Sequence, residues 1–156
     1  MCKVADAAMA MVNRSIELAG ETGDESYYMD FVKLHKLLYL AQCLMLVQYG
    51  QQMFDEKITA HQCGPYVADL HFIPRCRGFG EIKNPFSKSE FVRPSYRRMK
   101  VIEQGLGEFG RNSTEELIQY TKETPAYCAA ADGIEGDYRP EITQEQMLQS
   151  TTYSIS

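Results

Sequence analysis

Between Asp30 and Gly50 the chain places Phe31, Leu34, Leu38, Ala41, Met45 and Tyr49 on one helical stripe, and Leu37, Leu40, Leu44 and Val47 extend it nearly all round. A surface helix hides one face, so a helix that is apolar on most sides must be wrapped by the rest of the fold. Whatever else the chain builds, it packs around residues 30–49. The greasiest run, Leu37–Val47, is far short of the roughly 20 apolar residues of a membrane span, and Gln42 sits inside it.

The remaining pattern surrounds that helix with shorter ones. Val4, Ala8, Met11, Val12, Ser15 and Ala19 predict a first helix over about 3–19 with Gly20 as its stop. Residues 57–63 alternate and predict a short strand. Gly64-Pro65 then breaks the strand, and Pro65 at a first helical position is expected to start a helix through Tyr66, Val67, Leu70 and Ile73 up to Pro74. Three prolines and Gly78-Phe79-Gly80 make residues 74–94 a loop region, with a small strand near Ile82. Helical spacing returns over 95–109. Ser113 and Glu116 form a capping-box pair that opens another helix, which ends before Pro125. One further turn is expected over 126–131, a loop over 132–140 and a short helix over 143–148. The fold class is mainly α: a compact helical bundle around a central apolar helix, with a small β element.

With 156 residues, 44% hydrophobic and 24% charged, the chain suits one domain with its own core and argues against long disorder. The net charge of −5 disfavours a protein that coats nucleic acid throughout. The charge is unevenly spread, because residues 75–100 carry eight basic side chains against two acidic. Those cations (Arg75, Arg77, Lys83, Lys88, Arg93, Arg97, Arg98, Lys100) are interleaved with Phe79, Phe86, Phe91 and Tyr96. Such a segment suits an acidic protein partner, a single-stranded nucleic acid or plain solvation, with nucleic acid the least favoured of the three. Five cysteines without a CxxC pair read as reduced thiols, and no signal peptide is visible, so a soluble cytoplasmic protein is expected.

Three constellations carry possible chemistry. His35, Tyr39 and Gln42 fall at i, i+4 and i+7 on the apolar helix. They are either a groove that reads a partner or a buried network tying the helix to the Gly64-Pro65 turn. His61, Cys63, His71 and Cys76 could supply zinc ligands or a thiol nucleophile, but they lack the tight knuckle of a structural zinc site and no nucleophile elbow surrounds either cysteine. The ordinary reading is that they are strand and loop residues without metal. Asp55-Glu56 reads as capping or solvated loop rather than acid–base machinery.

The run Lys33-Leu34-His35-Lys36-Leu37-Leu38-Tyr39-Leu40-Ala41-Gln42 resembles the KLQKLLYYAQ-type core of the Panacea domain, with His35 in place of the usual glutamine. Gly50, Phe54-Asp55-Glu56, Ile58, Ala60 and His61-Gln62-Cys63-Gly64-Pro65-Tyr66-Val67 continue the resemblance. Glu116–Thr121 before Pro125 is similar to the family's later motif, with Lys122 where a histidine is usual. The resemblance spans roughly residues 4–130. It implies a mainly helical domain with a short strand or hairpin, and the role of an antitoxin. It implies no catalytic residue and no cofactor.

The expectation is therefore a single Panacea-like domain over 1–156, with 74–94 a basic loop-rich segment and 132–156 a partly ordered extension. It would neutralise a cognate toxin by direct binding, or by delivering it to an unfoldase-protease. The expected anchors are Tyr39, Phe54, Tyr66, Phe79, Arg97 and Arg98. The residues expected to shape the domain are Lys33, Leu34, Lys36, Leu37, Leu38, Ala41, Gln42, Gly64 and Pro65, with Tyr39 again. One alternative is a phage-borne inhibitor of a host defence protein. Another, of a different class, is a thiol- or zinc-dependent enzyme built on His61, Cys63, His71 and Cys76.

Overall fold

The computed structural model describes residues 2–155, and side chains through residue 149. Helix α1 spans Val4–Thr22, and a 3-10 turn at Glu25–Tyr27 leads into α2, Phe31–Tyr49. Strands β1 (Ile58–His61) and β2 (Gly64–Val67) form an antiparallel hairpin. Helices α3 (Phe72–Arg77), α4 (Tyr96–Phe109), α5 (Thr114–Lys122), α6 (Pro125–Ala131) and α7 (Gln144–Ile155) follow.

Helix α2 is the axis of the molecule, as its composition requires. It contacts α1, α4, α5, α7 and β2, and fourteen of its nineteen residues are buried. Its ends follow from local chemistry. The Asp30 carboxylate accepts from the Lys33 N–H at 2.8 Å, and Gly50 at φ 63° closes the C-terminus in the left-handed conformation that a side chain would resist. Ser113 and Glu116 make the expected capping box at α5, at 3.1 and 2.8 Å. Thr143 and Gln146 make the same reciprocal pair at α7.

Three expectations need correction. Helix α1 runs through Gly20 and stops at Gly23, whose φ of 72° provides the left-handed cap. Gly64-Pro65 begins no helix: residues 64–67 are β2, paired with β1 in the register Ile58↔Val67 to His61↔Gly64. Pro65 is tolerated there because this is a two-stranded ribbon, where a residue without an N–H is not required to bond on both sides. The following helix starts only at Phe72 and includes Pro74 in its first turn, where an N–H would find no partner anyway.

Residues 78–95 form a strap across α1 and the 3-10 turn. The Ile82 N–H donates to the Met29 carbonyl, and the Asn13 amide makes a reciprocal pair with the Phe86 backbone, both bonds at 2.8 Å. Ile82 and Phe86 are the buried pegs of this strap. Residues 140–142 lie along the outer edge of β1, with Ala60 N–H donating to Pro140 O and Ile142 N–H to Ile58 O. Ile142 and Met147 enter the core. Among the described residues, no helix is long and apolar enough to cross a membrane.

Candidate functional site

The polar residues of α2 between Lys33 and Gln42 are buried, and each is spent on a neighbouring segment. Lys33 Nζ donates to the carbonyls of Ser26 and Gly110, both at 2.8 Å, joining the 3-10 turn to the C-terminal end of α4. A cation is well placed at a helix C-terminus, where the backbone dipoles leave partial negative charge. Lys36 Nζ donates to Pro65 O at 2.9 Å, and His35 Nδ1 accepts from Val67 N–H at 2.9 Å. Gln42 serves both backbone groups of the 53–54 turn, accepting from Met53 N–H and donating to Phe54 O. Tyr39 shares a hydrogen bond with the Thr124 hydroxyl at 2.7 Å. The seam is therefore a buried network. Its Lys36 and His35 members hold the turn and strand that the sequence pointed to.

Burial sets the protonation of this network. His35 is 2% exposed, and burial, aided by the positive charge of Lys36, drops its pKa to about 3. The ring is neutral, and since Nδ1 accepts, the proton resides on Nε2. Burial likewise brings the Lys36 ammonium down to about 8, opposed by Cys63, and lowers Lys33 against the pull of Asp30. Gly64 is the close-approach point. A Cβ there would lie 3.2 Å from Thr121 Oγ1 and 3.3 Å from Lys36 Cε, in a backbone with φ 107°.

Above this network opens a cleft of about 290 Å³, lined on one side by Phe31, Val32, His35 and Lys36 and on the other by the hairpin residues 61–64 and Tyr66. The Tyr66 ring stacks on His35 at 4.1 Å and contacts the rings of His61 at 4.9 Å and His71 at 6.3 Å. All three histidines of the chain thus surround one tyrosine. The ladder continues from His35 to Phe31 at 4.5 Å and from Phe31 to Phe79 at 6.0 Å. Phe79 is 72% exposed, an aromatic ring presented to solvent at the end of a packed row. Exposed aromatics backed by ordered neighbours are the kind of group that anchors protein interfaces.

The family model described as "Antitoxin SocA-like, Panacea domain" matches residues 34–126, which contain most of α2, the hairpin, α3, α4 and α5. The chain belongs to the Panacea-domain family. No curated protein and no solved structure matches it. The matched span of this Panacea domain holds the cleft residues from His35 to Tyr66, while Phe31 and Val32 of its wall lie just before it.

The structure sorts the expected anchors into two groups. Tyr66, Phe79 and Arg97 reach the surface. Tyr39 and Phe54 do not: they are 0% and 1% exposed, at the centre of the core, and a partner cannot touch them in this conformation. Arg98 stands between, because its guanidinium donates to the carbonyls of Gln52 and Met53 at 2.9 and 3.0 Å and so holds the turn after α2. In the basic segment, Arg77 is similarly committed to the Asn84 and Pro85 carbonyls and lies 4.2 Å from the Phe86 ring centre.

The quartet His61, Cys63, His71 and Cys76 does not assemble. His61 and His71 flank Tyr66, Cys63 sits exposed in the hairpin turn, and the Cys76 thiol donates to Ile73 O. Among the described residues no group of three or more potential ligands is placed to hold a metal ion. Sequence reasoning missed that Lys33 and Lys36 are buried and that the histidines converge on Tyr66. The first had a signal, since a lysine on a helix that is apolar all round has no solvent face to occupy. The second depends on the hairpin, which the Gly-Pro pair disguised as a helix start.

Proposed function

We propose that this Panacea domain is an antitoxin that silences a cognate toxin protein, encoded nearby, by binding it across the cleft face around Tyr66 and Phe79. The observation that supports this reading is the aromatic ladder itself. An exposed phenyl ring and a half-buried tyrosine stand over a rigid helix, flanked by exposed Val32. Few groups are needed, because a specific interface of about 1,600 Å² draws most of its free energy from a handful of such anchors. The contact would act by occlusion. It would equally serve to hand the toxin to an unfoldase-protease, and toxin half-life with and without the antitoxin separates the two.

The test is co-expression with the product of the neighbouring gene. That product alone should arrest growth, the pair should grow, and Tyr66→Ala with Phe79→Ala should abolish rescue while the variant stays folded. A neighbour that is harmless alone, or undiminished rescue by the folded double variant, overturns the reading.

A further inference from the structure

The floor of the cleft holds two hydrogen-bond donors and no acid. His35 Nε2 is buried and has no hydrogen-bond partner, although the tautomer fixed by Val67 N–H places a proton on it. Beside it, Lys36 Nζ has three N–H groups and donates to Pro65 O, and no carboxylate pairs with it among the described residues. Buried donors left in this state cost free energy, and a cation costs more than a neutral group. The bonds to Val67 N–H and Pro65 O account for His35 Nδ1 and for one Lys36 N–H, but they leave His35 Nε2–H and the charge of Lys36 without a partner.

Both residues line the same opening, whose walls are Phe31, Val32 and Tyr66, but they are 2% and 3% exposed, so a partner group reaches them only as the Tyr66 rim yields. A group that fits must accept two hydrogen bonds, supply negative charge and arrive on a short stem between aromatic walls. We propose that the cleft receives an aspartate or glutamate side chain of the bound toxin, whose carboxylate bridges Lys36 Nζ and His35 Nε2–H. This rests on the antitoxin reading and adds the chemistry of the contact. The acid would convert a buried, unpaired cation into a buried ion pair and give the orphan imidazole N–H its acceptor. Aromatic anchors on the rim would supply area, and the carboxylate would fix register.

The experiment uses the full chain and the purified neighbouring gene product as probe. Lys36→Met should weaken the complex by about tenfold or more, in line with the loss of a charge-assisted hydrogen bond. An acid-to-amide scan of the toxin surface should find one Asp→Asn or Glu→Gln variant with a similar loss, which adds nothing further to Lys36→Met. Imidazole ¹⁵N NMR of the wild-type chain needs no variant of this protein. The His35 Nε2–H resonance should move downfield on complex formation and fail to do so with the amide variant of the toxin. If no acid couples to Lys36 and the His35 signal is unmoved, the inference is overturned while rescue still stands. If adding a residue to the toxin C-terminus, rather than any side-chain replacement, breaks the coupling, the acid is the chain end and the inference as stated is wrong. If wild type gives neither rescue nor complex, the antitoxin reading falls and this inference with it.

Discussion

Val67 N–H donates to His35 Nδ1 across 2.9 Å, so the register of the hairpin is read by a side chain on the central helix. That bond exists only while the imidazole is neutral. In the fold the His35 pKa is held at about 3, chiefly by burial and then by Lys36, His61 and His71. In the unfolded chain it is about 6.5. Below 6.5 the unfolded state therefore binds a proton that the native state refuses, and stability falls as pH drops from about 6.5 toward 3. At pH 5 the loss from this group is about 2 kcal/mol. Urea unfolding at pH 7 and pH 5 should show it. His35→Gln, whose carbonyl can still accept from Val67 while carrying no titratable group, should remove most of that difference.

Gly64→Ala should destabilise the domain by about 2–3 kcal/mol. The substituted residue would be strained at φ 107°, and its methyl would press on Thr121 and Lys36. Gly50→Ala is the control. Its φ of 63° is also left-handed, but nothing lies within 4 Å of the added carbon, so about 1 kcal/mol is expected. Equal losses in thermal or urea melts would show that the close approach at Gly64 is unimportant.

Lys33→Met should cost about 2–3 kcal/mol in urea denaturation, because it strips a donor from the Ser26 and Gly110 carbonyls at once. Hydrogen exchange should quicken in the 3-10 turn and the last turn of α4 before it does in the hairpin. Uniform loosening would contradict the idea that Lys33 joins those two segments.

Arg97 and Arg98 are neighbours with different work. Arg98→Ala should lower stability by about 1–2 kcal/mol, since it releases the Gln52 and Met53 carbonyls. Arg97→Glu, at an exposed position over the Tyr49 ring at 5.2 Å, should change stability by no more than about 0.5 kcal/mol. Comparing the two variants in binding to the proposed toxin partner separates a surface charge effect from a folding one. If Arg97→Glu binds as tightly as wild type at low salt, that arginine lies outside the interface.

The central helix was legible from its residues because hydrophobic periodicity and burial are the same statement there. Its polar members were half legible. His35, Tyr39 and Gln42 stood out against an apolar field, but no spacing rule says which backbone group each will meet. Tyr39 and Phe54 were read as anchors because large aromatics serve cores and interfaces alike, and only tertiary packing separates the two uses. The hairpin was hidden by a real ambiguity. Gly-Pro ends a strand and starts a helix equally well, and the pairing that decided it joins residues 58–61 to 64–67 through nonlocal support from Lys36, His35 and the Pro140–Ile142 edge.

Nearly every grip that α2 exerts falls on main chain rather than on a side chain. Its targets are the carbonyls of Ser26, Phe54, Pro65 and Gly110 and the amides of Met53 and Val67. A peptide group is the same whatever residue carries it. The grip itself therefore does not choose the letters at those positions; packing does, since Met53, Phe54 and Val67 are core residues and a side chain at Gly110 would meet Leu106 O. A scaffold held in this way keeps its frame when exposed side chains outside the grip, such as Val32 and Phe79, are replaced.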